Sequence, residues 1–194
     1  MTLLDYALVS LEDVKSFLGI TTTTHDTLLT MIINMVTEQI ETRCDRRFDD
    51  TEYEDQVYSG IGVKTLILKE FPVTDTTTFK LERNNSYNNS DNWEEIDADT
   101  YWVEEETGII TKTTVFHRGT QNWRVTYSAG FTVIPYDIQL LAMSVISEVF
   151  NKRNVAGVKS EKLGDRTVSF EAGSVIDNNQ SFLSTLSNYR KIPV

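Results

Sequence analysis

The sequence predicts an α+β fold: a small helical bundle of three long helices plus a short C-terminal helix, with an inserted antiparallel β layer and a protruding β-hairpin. Three observations predict it. Apolar residues recur every three or four positions in stretches near both ends of the chain, the spacing that gathers them on one side of an α-helix. Between roughly Tyr53 and Gly130 the period falls to two, as in half-buried strands. Further on, Gly164-Asp165 sits between two short runs and reads as a two-residue hairpin turn. At 194 residues the chain is expected to form one domain over 1–194, with 53–130 the β region inserted between helices and 158–171 the hairpin.

The first helix is announced by Ser10 and, three residues on, Asp13, a short capping box, followed by Leu11, Val14, Phe17 and Leu18 at helical spacing; Gly19 stops it. After Thr21 to Thr24, the residues Leu29, Ile33, Val36, Ile40 and Cys44 form one apolar stripe of about four turns. Asp26 near its start and Arg43, Arg46 and Arg47 near its end suit the helix dipole. Strand candidates follow at Val63–Leu68, Thr78–Glu82, Tyr101–Val103 and Asn122–Tyr127. In the last, Trp123, Val125 and Tyr127 share one face and Arg124 and Thr126 the other. Arg83 to Asp99, rich in Asn, is expected to be an exposed hairpin tip or long loop.

Pro135 suits the first turn of the third helix, whose stripe is Ile138, Leu141, Ala142, Val145, Ile146 and Val149. In the Val158–Glu171 hairpin, counting outward from Gly164-Asp165 pairs Leu163 with Arg166, Glu161 with Val168, and Lys159 with Phe170. Neither face is cleanly apolar, and a lone two-stranded hairpin is marginal in water, so this one is expected to need another surface, such as another subunit. Phe182 to Lys191 reads as a short helix ended by Pro193.

Composition narrows the function. The chain carries 18 basic and 29 acidic residues, a net of −11, which disfavours sequence-directed nucleic-acid binding. Residues 1–150 hold 11 basic and 25 acidic groups, whereas 151–194 hold 7 and 4, so the acidity is polarised. One cysteine, Cys44, excludes an internal disulfide and a thiolate zinc site. No stretch nears the ~18 apolar residues of a membrane span, and the N-terminus lacks the pattern of a secretion signal, so a soluble cytosolic chain is expected.

The catalytic inventory is thin, and no enzyme and no cofactor are expected. His25, beside Asp26, reads as a helix-start residue and His117 as a surface or interface histidine; neither has metal-ligand spacing. Cys44 lies in an apolar stripe and reads as a small buried hydrophobe rather than a nucleophile. Asp97 and Asp99 with Glu104-Glu105-Glu106 are the one acidic constellation, read as a solvated face; the spacing is wrong for a calcium-binding loop. Gly60-Ile61-Gly62 lacks a dinucleotide fingerprint, and Tyr127-Ser128-Ala129-Gly130 lacks the glycine on both sides of Ser that a nucleophile elbow needs. An alternative reading is a cation- or carbohydrate-binding β module using Asp97, Asp99, Trp93, Tyr101 and Trp102.

Several separated stretches together are more informative. They are Ser10–Lys15 with Gly19-Ile20, Cys44–Phe48, Tyr58-Ser59-Gly60, the Leu66–Val73 segment ending Phe71-Pro72-Val73, Tyr127–Phe131 leading into Ile134–Ile138, and Lys159–Val168. In this order the chain resembles the head-to-tail connector, or adaptor, proteins of long-tailed bacteriophages. That resemblance implies a structural virion protein without catalysis or cofactor. It implies a ring of copies, similar to the usual twelve-fold connectors, with the portal protein above and a tail or head-completion protein below. Double-stranded DNA would be non-specific cargo in a channel that the ring extends, and no membrane would be involved. The protein would reside at the neck of the virion and be assembled in the bacterial host cytoplasm. On this reading the hairpin is an assembly hairpin, with Lys159, Glu161, Leu163, Arg166, Val168 and Phe170 as the subunit interface. The C-terminal Tyr189, Arg190, Lys191 and Ile192 are the expected portal contact.

Overall fold

A computed structural model of the chain describes residues 2–85, 92–153, 160–163, 166–169 and 180–191. It divides into two compact units, one formed by Met1–Arg46 with Ile134–Pro193 and the other by Arg47–Val133.

In the first unit, α1 (Leu11–Leu18) starts as its sequence dictates: the Ser10 hydroxyl oxygen accepts the Asp13 N–H at 3.1 Å. Gly19, at φ +69°, then turns the chain into the left-handed region, and the Ile20 N–H returns to the Lys15 carbonyl. α2 (Asp26–Cys44) buries the whole stripe Leu29, Ile33, Val36, Ile40 and Cys44, and α3 (Tyr136–Lys152) packs against it with Ile138, Leu141, Ala142, Val145 and Ile146. α4 (Gln180–Tyr189) rests on both through Leu186.

The expectation of three long helices is overturned. α1 is eight residues, two turns, because the Ser10 cap and the Gly19 turn leave room for no more; it buries Val14 fully and leaves Phe17 48% exposed. The helical part is therefore two long helices with two short ones, not a bundle of three long helices. The expected single β layer is corrected too: besides the hairpin, two separate antiparallel sheets are present, and the mixed α+β character stands.

Those sheets form the second unit. The strands are β1 (Thr51–Gly60), β2 (Thr65–Ile67), β3 (Val73–Asn84), β4 (Trp93–Glu95), β5 (Tyr101–Glu104), β6 (Ile109–Lys112) and β7 (Gly119–Ala129). Four form a sheet in the order β1-β7-β3-β4 and three another in the order β2-β6-β5, all neighbours antiparallel. Trp123, Val125, Tyr127 and Ala129 of β7 are buried on one face and join Leu81, Leu66, Leu68, Ile110 and Phe116 in a single core. At the end of β7, Gly130 has φ +134°, and a Cβ there would lie 2.1 Å from the Asp49 carbonyl oxygen, so only glycine fits.

β8 (Ser160–Leu163) and β9 (Arg166–Ser169) pair antiparallel in the register counted from the turn: Glu161 opposite Val168 and Leu163 opposite Arg166. They are hydrogen-bonded to no other described strand.

Ile40 and Leu81 are fully buried in the two respective units. Ile40→Ala and Leu81→Ala are each expected to cost about 2–5 kcal/mol, read from the midpoint and slope of urea unfolding.

Candidate interaction surfaces

The expected portal-contact residues sit at the end of α4, and the structure ties that end to its own subunit. The Lys191 N–H donates to the Cys44 carbonyl at 2.9 Å. Cys44 is the last residue of α2, whose final carbonyls have no partner within the helix, so the chain end completes the helix end. The Tyr189 hydroxyl donates to the Asp137 carboxylate in the first turn of α3, 2.9 Å from each oxygen. Tyr189 and Lys191 are half-buried by these arrangements, while Arg190 between them is exposed. Ile192 lies outside the described residues.

Burial, followed by the hydrogen bond and the charge of Asp137, pushes the Tyr189 hydroxyl up to about 12. Burial also pushes the Cys44 thiol up to about 11, and its sulfur lies 3.8 Å from the Leu186 carbonyl oxygen, so this cysteine is a thiol at neutral pH. His25 occupies the position before α2 and packs edge-on against Phe150, 5.4 Å between centroids. His117 is exposed, and its carbonyl accepts the Asn122 and Trp123 side-chain N–H groups at 3.0 and 3.3 Å.

Of the expected subunit-interface residues, Glu161, Leu163, Arg166 and Val168 fall on β8 and β9, which places Glu161 across from Val168 and Leu163 across from Arg166. Lys159 and Phe170 lie outside the described residues.

The residues of the alternative β module do not converge. Tyr101 and Trp102 alternate along β5, so Tyr101 packs on Phe79, 5.9 Å between centroids, while Trp102 faces solvent at 65% exposure. Trp93 belongs to β4 of the other sheet, and its ring is covered by the Arg124 guanidinium at 4.7 Å. Asp97 accepts the Asp99 N–H at 3.1 Å, which caps the short 3₁₀ turn Ala98–Thr100. Among the described residues no three His, Cys, Asp or Glu side chains are grouped to hold a metal ion.

A polar network that sequence reasoning missed lies on the outer face of the four-stranded sheet. Arg124 stands opposite Glu82 in the β3–β7 register, and its guanidinium grips that carboxylate through two bonds, Nε to Oε2 at 2.7 Å and Nη2 to Oε1 at 2.9 Å. Lys80 reaches the same carboxylate at 3.0 Å, and Asp55 lies 3.2 Å from Arg124 Nε. Glu82 is only 4% exposed; the Arg124 hydrogen bonds hold its carboxyl below the usual range against the opposing effect of burial. The signal was the alternation that puts Arg124 opposite the apolar face of its strand, but nothing local named Glu82, 42 residues away in the chain.

The fold is similar to that of chains in gene transfer agent particles. The chain is similar to a chain in "Neck of empty GTA particle computed with C6 symmetry", with TM-score 0.62 and 13% identity, covering 100% of this chain and 95% of that one. It is similar to one in "Virion of native gene transfer agent (GTA) particle", with TM-score 0.59, 12% identity and coverage of 100% and 95%. Comparison with curated proteins gives no match. Residues 7–192 match the head completion protein family, and the chain belongs to that family. It is thus a virion structural protein. No helix among the described residues is long and apolar enough to cross a membrane.

Two outcomes are expected. Arg124→Met leaves the buried Glu82 carboxylate with Lys80 alone and should cost about 3 kcal/mol in urea unfolding at neutral pH. For Tyr189, the folded state holds the proton more tightly than the unfolded one, whose phenol titrates near 10. Its contribution is therefore whole below pH ~10 and is lost as pH rises through about 12. Tyr189→Phe should flatten the fall in urea midpoint between these values, and an unchanged fall would refute the assignment.

Proposed function

We propose that this protein is a head-to-tail adaptor that closes into a ring beneath the portal, extends the DNA channel and offers the tail its docking surface. The observation that carries the reading is the whole-length agreement of the fold with chains of gene transfer agent particles, one of them from a structure of the neck, joined to membership of the head completion family. On this reading the protein works by contact, with no catalysis and no cofactor. It assembles in the bacterial host cytoplasm and remains at the head–tail junction, with the portal above and a tail or head-completion protein below.

The β8–β9 hairpin supports the ring. Two strands without a third are marginal in water, and identical neighbours related by rotation supply the same missing surface to every copy. Lys159, Glu161, Leu163, Arg166, Val168 and Phe170 are the residues assigned to that contact. The portal contact is assigned to Tyr189, Arg190, Lys191 and Ile192, with exposed Arg190 and half-buried Lys191 as its charged members. The DNA is non-specific cargo, since an acidic wall repels phosphates over about 8 Å at physiological salt.

Purified protein, alone or with its portal, should form rings visible by negative-stain imaging and by light scattering. A chain that stays monomeric with portal at high concentration would sink the proposal. Replacing Leu163, Val168 and Phe170 by Ser should weaken ring assembly in sedimentation while leaving the circular dichroism melt of the subunit nearly unchanged. Equal loss of both would assign the hairpin to the subunit's own core.

A further inference from the structure

Two further cations of the β unit, Lys112 and Arg83, stand on the other face of the sheet from Arg124 and Lys80. Lys112, at the end of β6, is only 6% exposed. What it meets are aromatic faces, with Nζ 4.3 Å from the Trp123 centroid and 5.3 Å from that of Phe116. Arg83 stands directly opposite Trp123 in the β3–β7 register, so its side chain leaves the sheet on the same side as that ring, and its Nε is buried with no hydrogen-bond partner among the described residues. The carboxylate across from Arg83 on the other side, Glu94 of β4, accepts from the Asn85 side-chain amide.

Contact with aromatic faces offsets only part of the desolvation of a partly covered ammonium, and a second cation nearby opposes it further. Burial first and the Arg83 charge second both push the Lys112 ammonium down from its ordinary value. Two neighbouring cations, one on a side chain that is mostly covered and one half-buried, make the electrostatic complement of an anion that carries more than one charge.

We propose that Lys112 and Arg83 form a binding site for a small free oxyanion of the phosphate class beside Trp123. The guanidinium supplies a forked set of donors and the ammonium a point charge, which together match a tetrahedral oxyanion. A free ion is favoured over the DNA backbone because the β unit, residues 47–133, carries 8 basic and 16 acidic residues. A duplex brings a continuous line of charge against that field, whereas a single ion meets only the local pair.

The test uses the full chain, its melt followed by circular dichroism in phosphate and in chloride at equal ionic strength, with calorimetric titration of inorganic phosphate. Phosphate at about a hundred times its dissociation constant is expected to raise the melting midpoint by about 5 °C over chloride. Arg83→Gln and Lys112→Met should each abolish the rise and the calorimetric signal. Should Lys112→Met fail to fold, Arg83→Gln, at a half-buried position, decides alone. Equal midpoints in phosphate and chloride overturn the site, as does an undiminished rise in Arg83→Gln. Binding of a short duplex without any response to phosphate overturns it as well.

Discussion

The pleat of β7 is the constraint from which the rest of the β unit follows. This strand has neighbours on both edges, so its alternation sets the facing of β1 and β3 together. With Trp123, Val125 and Tyr127 pointing inward, Arg124 must point outward. Glu82, registered opposite it, then has to be buried beneath a cation or not be charged at all. The same pleat puts Arg83 on the inner side with Trp123, where Lys112 arrives from the second sheet. A one-residue slip of β3 against β7 would exchange these two environments, bringing Glu82 towards the aromatic core and Arg83 out to the solvent face. The two charge arrangements of the unit are consequences of one register.

In the helical unit the comparable constraint is the unfinished end of α2. Its last carbonyls cannot be satisfied within the helix, and Asp45 turns the chain in the left-handed conformation, φ +52°, instead of continuing it. The N–H of Lys191, 147 residues further along, supplies the bond to Cys44, while Tyr189 reaches Asp137 at the other long helix. These contacts are short-range and polar, and they hold the segment that the adaptor reading turns towards the portal. Arg190 is thereby presented from a fixed frame, which lowers the conformational entropy that a partner would have to remove on binding.

What could be read from the sequence follows how local each feature is. The β8–β9 register was legible because Gly164-Asp165 marks one turn and the period of two then leaves no freedom in counting outward. The α2 stripe was legible because its positions lie within five turns of one helix. The length of α1 was misjudged although both of its boundary residues were recognised: a good cap and a good stop define a helix without making it long. β1 gave no signal, because it is an edge strand whose outward positions are acidic and whose alternation is broken at Asp55, φ +52°, where one extra residue shifts its register against β7. The Arg124–Glu82 and Lys112–Arg83 arrangements were not legible, since each joins strands far apart in sequence through a pairing that only the folded sheets define.

The acidity of the chain therefore has more than one physical origin. Glu52, Glu54 and Asp55 lie on β1, the longer edge strand of the four-stranded sheet among the described residues, and carboxylates together with a bulge are what keep such an edge from adding a further strand. Glu82 is neutralised by Arg124, with Asp55 alongside the same guanidinium. Asp97 serves a turn and Asp137 holds the chain end. These carboxylates are explained by the subunit's own folding and solubility, and they would be needed whether or not DNA ever passed by. Exposed groups without such duties, Glu105 and Glu106 among them, are those on which a channel-lining role could act without weakening the fold. In a ring, the repulsion that protects the sheet edges in the free subunit would also keep phosphates from settling on the wall. One net charge then meets two demands, which is why its magnitude alone could not separate them.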